Sequence, residues 1–418
     1  MQRGLRGGWL LAMLLGTSAW ANGIDNMNNQ NVEYLRHLSR TGMVGTPGAV
    51  FYNPAGLSTL QPGLYLAFNS QTLFTDFHHE YGGTEYSTHS IIPIIPTGYL
   101  IWRFSDFAVF GAFEVPAGGG GVEYEHGSAT TAPISAQAMT LAGMEADLSI
   151  TVGAVQYGVV LGGTYKIHDR VSVALAARAL IGRRYADMYT ASDQLSAFAG
   201  TDHMVDQKES ARGIGGIIGI SLNPLAGMHI GLRYETSTRM RWTVDRSDAP
   251  ELVLSVMDPA SVAALRKMMP EKGQRFDRDL PAHAAIGISH QVLPALSLAW
   301  SADYYFQKAA RWGGLENRVD DGWETALGVE YAAHPRVLLS AGAGWGVRGE
   351  TRESYTPEFP ALPGPLMGLG GKVELLPGLS LQLGFSVPMG LHTKGKDTLE
   401  FTVERIYNLA VGLDYKLF

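Results

Sequence analysis

The sequence predicts an all-β fold, an antiparallel transmembrane β-barrel of fourteen strands with partly helical extracellular loops. Three observations carry the prediction. Apolar and polar residues alternate with period two over many separate stretches. These stretches number fourteen, an even count, and short turns alternate with longer connections between them. A short charged and apolar leader opens the chain, and no later segment offers the ~18 unbroken apolar residues of a spanning helix.

The leader comes first in the chain. Arg3 and Arg6 precede the apolar run 9–15, and Ala19 and Ala21 place small residues three and one positions before a cut. That is the three-part layout of a secretory signal peptide over residues 1–21, with Asn22 as the first mature residue. A retained anchor is the alternative, with no second apolar run to support it. Removing the two arginines takes Lys+Arg from 32 to 30 against 39 acids, and the formal charge from −7 to −9. That balance carries no footprint for nucleic acid. With no cysteine, disulfides and thiolate metal sites are excluded. Glycine is high, 51 of 418 residues, against a usual ~7%.

The alternation is plain over residues 228–235, where Met228, Ile230, Leu232 and Tyr234 alternate with His229, Gly231, Arg233 and Glu235. It repeats over 171–184, 296–304 and 409–417. The second face collects Arg178, Arg184, Arg233, Glu235, Arg239, Arg241 and Asp303 among small residues. A soluble sandwich would put the apolar face in a core, and a membrane barrel would put it against lipid. Connection lengths separate the two. Strands fall near 64–75, 95–104, 107–116, 154–167, 171–187, 213–222, 228–244, 281–292, 296–308, 322–332, 336–348, 365–376, 379–391 and 399–418. Short turns at 105–106, 168–170, 223–227, 293–295, 334–335 and 377–378 alternate with longer connections, which is the outer-membrane pattern. Trp102, Tyr165, Trp242, Tyr304, Trp323, Tyr331 and Trp345, near strand ends, are expected to form interface girdles. Phe418 fits a terminal assembly aromatic, one step off the lipid-facing set of Tyr415 and Leu417.

The segment QNVEYLRHLSRTGMVGTPGAVFYNPAGL, residues 30–57, with its Asn53-Pro54-Ala55 motif, resembles the hatch of the FadL/TodX family of outer-membrane transporters for hydrophobic compounds. Residues 231–245 and 322–350 are similar to strand pairs of that family, and the likeness runs along the mature chain. The resemblance implies a lumen plugged by a hatch over 22–62, with the barrel over 63–418. It also implies passive uptake of long-chain fatty acids or aromatic hydrocarbons. Substrate would enter an apolar groove among the outer loops, pass a pocket beside the hatch, and leave sideways at a kink in the third strand. The implied protein is a monomer of the bacterial outer membrane, neither an enzyme nor a cofactor binder. Its partners would be outer-membrane lipid, lipopolysaccharide and the barrel assembly machinery.

The residues offer counterparts for these parts. In the motif, Asn53-Pro54 turns the chain while Phe51 and Tyr52 are free to meet ligand or wall. In the third strand, Pro116 removes a ladder donor, and Gly118, Gly119, Gly120 and Gly121 cannot hold a rigid strand. A kink or gap there and a loop starting at Pro116 are the two readings. In the loop 117–152, Ile134, Met139, Leu141 and Met144 are groove candidates. In the loop 245–280, Asp258 and Pro259 start a helix whose Val262, Leu265 and Met268 share a face, and Leu254 joins them. Loops that merely pack on one another would use the same residues. Arg178, Arg184, Arg233 and Lys308 are lumen charges, fit either to clamp a carboxylate or to join a salt-bridge lattice.

For catalysis and metals the sequence offers little. His78, His79 and His89 fall in the first outer loop with no carboxylate at ligand spacing, so no metal site is expected. There is no Gly-x-Ser-x-Gly elbow, and the glycines of 213–219 lead into a strand rather than a phosphate-binding helix. A general polar porin and an outer-membrane lipid esterase or phospholipase remain the alternatives.

Overall fold

Hydrocarbon offers no water to satisfy the edge of a sheet, so a spanning sheet must close on itself. The computed structural model describes residues 31–418 apart from 40, 43, 144, 145, 252–268 and 397, and in it the sheet is closed. The wall has fourteen antiparallel strands. They are β1 (Gly63–Tyr81), β2 (Thr84–Arg103), β3 (Phe107–Tyr124), β4 (Leu148–His168), β5 (Val171–Thr190), β6 (His203–Leu222) and β7, in halves Met228–Glu235 and Arg239–Asp248. The circuit continues with β8 (Ala282–Leu293), β9 (Leu296–Phe306), β10 (Gly322–His334), β11 (Val337–Val347), β12 (Gly364–Leu376), β13 (Leu379–Gly390) and β14 (Glu400–Lys416). β14 pairs with β1 from Lys416–Tyr65 to Glu400–Glu80 and completes it. Two short pieces, Arg275–Asp277 and Thr393–Lys394, extend the sheet on β7 and β14.

One end of the barrel carries short turns, such as those joining β4 to β5 and β12 to β13. The other carries longer connections, with one exception. The first connection is not a loop: β1 and β2 run on as a hairpin of 19 and 20 residues to a turn at Gly82-Gly83, both at positive φ. His78, His79 and His89 therefore lie on strands. β3 and β6 also outrun their predicted limits. Above the apolar belt the outward face meets water, so polar residues occupy both faces and the period-two signal fades.

Within the belt the alternation holds. Leu232 and Tyr234 are exposed outward while Arg233 and Glu235 are buried, and Leu298, Trp300 and Tyr304 point out while Asp303 is buried. The break at residues 236–238 inserts an odd step into β7 and exchanges its faces. Met240 and Trp242 turn into the lumen, and Arg239 and Arg241 turn out. Trp242 thus does not belong to the girdle, and those two arginines do not belong to the lumen. The other six girdle aromatics are outward and exposed.

The N-terminal segment fills the lumen. Helix α1 (Val32–His37), helix α2 (Ala49–Tyr52) and the 3-10 turn Pro54–Thr59 are buried almost throughout. Their Leu35, Leu38, Phe51, Tyr52 and Leu57 form one core with wall residues such as Tyr99, Phe110, Leu180 and Trp242.

Candidate functional site

The plug is seated on glycine. α1 is capped at its start by the Asn31 side chain, which accepts from Tyr34 N at 3.0 Å, and ends on Leu38 in a left-handed conformation. One side of α1 lies directly on the backbone of β10–β14. A Cβ on Gly384 would stand 2.7 Å from the Val32 carbonyl oxygen, and one on Gly370 would stand 2.7 Å from the Arg36 Cβ. Gly328 and Gly342 give the same clearance to His37, Gly368 to Leu35 and Leu38, and Gly412 to Val32. Polar pins fix the register: Tyr34 Oη donates to Glu324 at 2.5 Å, and Arg36 reaches Glu330, Ser340 and Gln382.

The Asn-Pro-Ala motif ties the other end of the plug to β4 and β6. Asn53 Nδ2 donates to the Ile220 carbonyl at 3.0 Å, and its Oδ1 accepts from Ala55 N at 3.3 Å, capping the 3-10 turn that Pro54 begins. Thr164 Oγ1 donates to the Pro54 carbonyl at 2.6 Å. Gly219 and Gly231 of the wall leave room for the Asn53 side chain. Phe51 and Tyr52 are buried against each other in an edge contact, with the Arg233 guanidinium 5.4 Å from the Phe51 ring. Phe51 thus meets the wall, while Tyr52 packs on Phe51 and on Tyr34, with ring centroids 5.8 Å apart in the second pair, and its hydroxyl accepts from Asn31 N at 3.0 Å.

β3 does not break into a loop at Pro116; it continues as strand to Tyr124 on β4. It does so through two register shifts, between Glu114 and Ala117 and between Gly118 and Gly120, with Gly118 and Gly120 at φ 71° and 133°. Gly119 and Gly121 lie in the same strand segment. On its other side β3 parts from β2. The ladder between them runs from Arg103–Ala108 to Gly98–Phe113 and, among the described residues, no further. Beyond a stretch without ladder pairs the strands are rejoined by side chains: Thr88 Oγ1 donates to the Glu123 carbonyl, and Glu123 N donates to Ser90 Oγ at 3.2 Å. From Ser90 to Gly98 the seam is roughly 25 Å long at the usual strand rise. Ile92 leans across it toward Gly120. Along this seam β2 carries Pro93 and Pro96, which have no N–H to offer. Sequence reasoning left Pro93 outside the second strand by starting it at 95 and drew nothing from Pro96 within it; the Ile-Ile-Pro repeat of 91–96 was the available signal.

Where the bulge begins, Glu114 is anchored inside. Arg178 Nη1 contacts Glu114 at 3.3 Å, its Nη2 contacts Glu235 at 2.7 Å, and Arg233 pairs with Glu235. Arg233 Nη1 lies 3.2 Å from His283 Nδ1, and His283 Nε2 lies 2.8 Å from Asp303. The chain of charges runs from β3 to β9 with every member buried. Arg178 and Arg233 are thus lattice members, already engaged by carboxylates. Arg184 lies over the Trp242 ring at 4.4 Å. Lys308 is not in the lumen: it sits past β9, 56% exposed, paired with Asp320 at 2.9 Å.

Of the groove candidates, Ile134, Met139 and Leu141 lie on helix α3 (Ala132–Ala142). Ile134 packs on a cluster with Phe77, Val122 and Tyr124, and Met139 is exposed. Met144, Leu254, Val262, Leu265 and Met268, with the helix expected around the last three, lie outside the described residues. Asp76, His78 and His89 bring three ligand atoms within 4.8 Å of one another on the outer hairpin. The carboxylate that the sequence reading did not place is Asp76, two residues before His78 and directly across the ladder from His89.

No protein-family model and no curated protein matches the sequence. Solved structures do. The chain is similar to the Pseudomonas putida toluene transporter TodX, with TM-score 0.65 and 15% identity over 94% of this chain and 100% of that one. It is similar to the Ralstonia pickettii toluene transporter TbuX, with TM-score 0.64 and 14% identity over 94% and 99%. A Pseudomonas aeruginosa FadL homologue gives TM-score 0.63 and 14% identity over 94% and 100%. At these identities the likeness establishes the fold, which this chain builds as a closed fourteen-stranded barrel with its N-terminal segment inside.

Proposed function

We propose that this chain is an outer-membrane channel for the passive uptake of hydrophobic small molecules, made with a cleaved leader at 1–21, a plug over 22–62 and a barrel over 63–418. The observation that carries the reading is the seam between β2 and β3, lying beside a plugged lumen. Backbone groups without ladder partners at membrane depth are tolerated only where they line a cavity, so the seam suits lateral exit of an apolar solute into the bilayer. The plug argues against a general polar porin, and nothing described forms a nucleophile with its base, so neither alternative gains support.

On substrate class, the lumen favours an uncharged hydrocarbon over a fatty acid. Arg178 and Arg233 are committed to Glu114 and Glu235, and releasing either for a ligand carboxylate would leave a buried glutamate unpaired. Two of the structural neighbours are toluene transporters. Entry is assigned to the outer loops around Ile134 and Met139, next to the far end of the seam.

The test is uptake in proteoliposomes, comparing a toluene-like solute with a long-chain fatty acid. Hydrocarbon entry above protein-free vesicles is expected, and Ile92→Trp, which adds bulk beside Gly120, is expected to slow it several-fold in a folded barrel. No gain over empty vesicles for either solute would overturn the channel reading. A rate untouched by Ile92→Trp would remove the lateral exit.

A further inference from the structure

A charge on the outward face of a membrane barrel is costly near the bilayer centre and nearly free at the interface. From the short-turn end, the outward positions of β5, β6 and β7 are mainly apolar and then turn basic. Arg183 follows Ile181, Arg212 follows Ile214, and Arg239 and Arg241 lie beyond Tyr234. The ladder sets them side by side: Ile181 pairs with Arg212, Arg212 with Arg241, and Thr243 above Arg241 with Arg275. From Val171 to Ile181, ten steps of a tilted strand rise about 25 Å, the height of the apolar band, so Arg183 stands at its outer rim.

All five arginines are exposed. The acid within the strip is Asp277, held by Arg241 at 3.5 Å and by Arg311 at 3.0 Å. Among the described residues, Arg183, Arg212, Arg239 and Arg275 have no carboxylate within 4.0 Å. Just above, Lys208 and Arg246 are balanced by Asp206 and Asp248. An unbalanced basic strip in a chain of formal charge −7 calls for an anion from outside. Beside and below the strip, Tyr234, Ile286, Tyr304 and Trp323 stand around Ala284 and Ala302, framing an apolar groove of about 510 Å³ on the lipid face.

We propose that this face binds a phosphorylated, acylated glycolipid of the outer leaflet, the lipid A portion of lipopolysaccharide, with phosphates on the arginines and an acyl chain in the groove. The proposal rests on the outer-membrane reading above. Guanidinium forks match phosphate oxygens in pairs. Four strand pieces side by side span roughly 14 Å, too wide for the single phosphate of an ordinary phospholipid but suited to a headgroup carrying two.

The experiment measures binding to the purified full chain in detergent, by native mass spectrometry, of bisphosphorylated lipid A, its monophosphorylated form and phosphatidylglycerol. The bisphosphorylated form is expected to bind tightest and to weaken with salt. Arg183→Ala/Arg212→Ala/Arg241→Ala is expected to cost roughly a hundredfold, about fivefold per charge. The corresponding triple lysine variant should keep most of the affinity, which separates lost charge from lost fold. Equal binding by parent and alanine variant, or phosphatidylglycerol binding as tightly as bisphosphorylated lipid A, would overturn the proposal. A dimer that depends on the same arginines would assign the strip to a second copy of the chain instead, and also overturn it. Hydrocarbon uptake is expected to survive the alanine variant, and lost uptake in the parent with intact lipid A binding would refute only the channel reading.

Discussion

Two arcs of the same wall differ in what faces the lumen. From β10 to β14 the inward positions under α1 are Gly328, Gly342, Gly368, Gly370, Gly384 and Gly412, and helix meets sheet backbone to backbone. From β3 to β9 the wall also yields to the plug at Gly219, Gly231 and Gly287, but its inward face is tied within itself by the buried charges of Glu114, Arg178, Glu235, Arg233, His283 and Asp303. The first arc supplies shape by removing side chains. The second supplies a rigid ionic tie at the point where β3 bulges and leaves β2. A plug held firmly on one side and a wall opened on the other are thus built from different residues, and each is open to separate attack.

The largest effect is expected in the charged arc. Arg178→Ala leaves Glu114 and Glu235 buried without their shared cation, and breaking a buried pair from one side costs about 3–5 kcal/mol. Unfolding in urea, followed by the heat-dependent gel mobility of the barrel, should show that loss. A change under about 1 kcal/mol would mean that the lattice is dispensable.

Next comes the glycine arc. Gly384→Leu would drive a side chain into the Val32 carbonyl and the Leu35 side chain, and a backbone carbonyl cannot swing aside. Overpacking of this kind typically costs about 1–3 kcal/mol, and here it is relieved by lifting α1. The expected readout is a several-fold rise in ion conductance in planar bilayers, with the barrel still folded. Gly163→Ala, whose new methyl meets only the Ala108 carbonyl oxygen at 3.4 Å, should leave conductance unchanged. Equal conductance in the two variants would refute the seat.

Much of this was legible in the sequence. The strand count, the short turns, the lipid-facing aromatics and the inward Arg178, Arg184 and Arg233 all follow from period two. What failed did so where one face stopped deciding the register. A single extra step at residues 236–238 reversed Trp242, Arg239 and Arg241, and no composition signal marks it. Lys308 was misplaced because β9 ends at Phe306. The glycine seat was visible as an excess, yet its meaning was hidden. Gly328, Gly342, Gly368 and Gly384 are spread over four strands and become one surface only when the barrel closes.

The motif is tied to β4 and β6, within the charged arc, and should show a smaller stability effect. Asn53→Ala removes the cap of the 3-10 turn and the tie to Ile220, a loss of about 1 kcal/mol. Pro54→Ala is expected to reduce uptake more than it lowers the melting point, because the carbonyl that receives Thr164 remains while the stiff turn is lost. Unchanged uptake with a lowered melting point would reverse that assignment.

The smallest effect is expected outside the wall, where the outer loops close over the end of β3. Tyr124 Oη donates to the Pro357 carbonyl at 3.0 Å, and Ser128 Oγ donates to Glu358 Oε1 at 2.6 Å. Burial pushes the Glu358 carboxyl up, against hydrogen bonds that pull it down. An acid raised in this way holds its proton more tightly folded than unfolded. The loop packing is therefore strongest below the ordinary glutamate pKa, about 4.3, and weakens as pH climbs from there through the raised value. Proteolysis within 350–363 should speed up over that interval in the parent. In Glu358→Gln, which keeps an acceptor for Ser128 and carries no charge, the rate should stay flat. A parent whose cleavage rate does not change with pH would show that the second arc's outer end is held by packing alone, with the carboxyl playing no part.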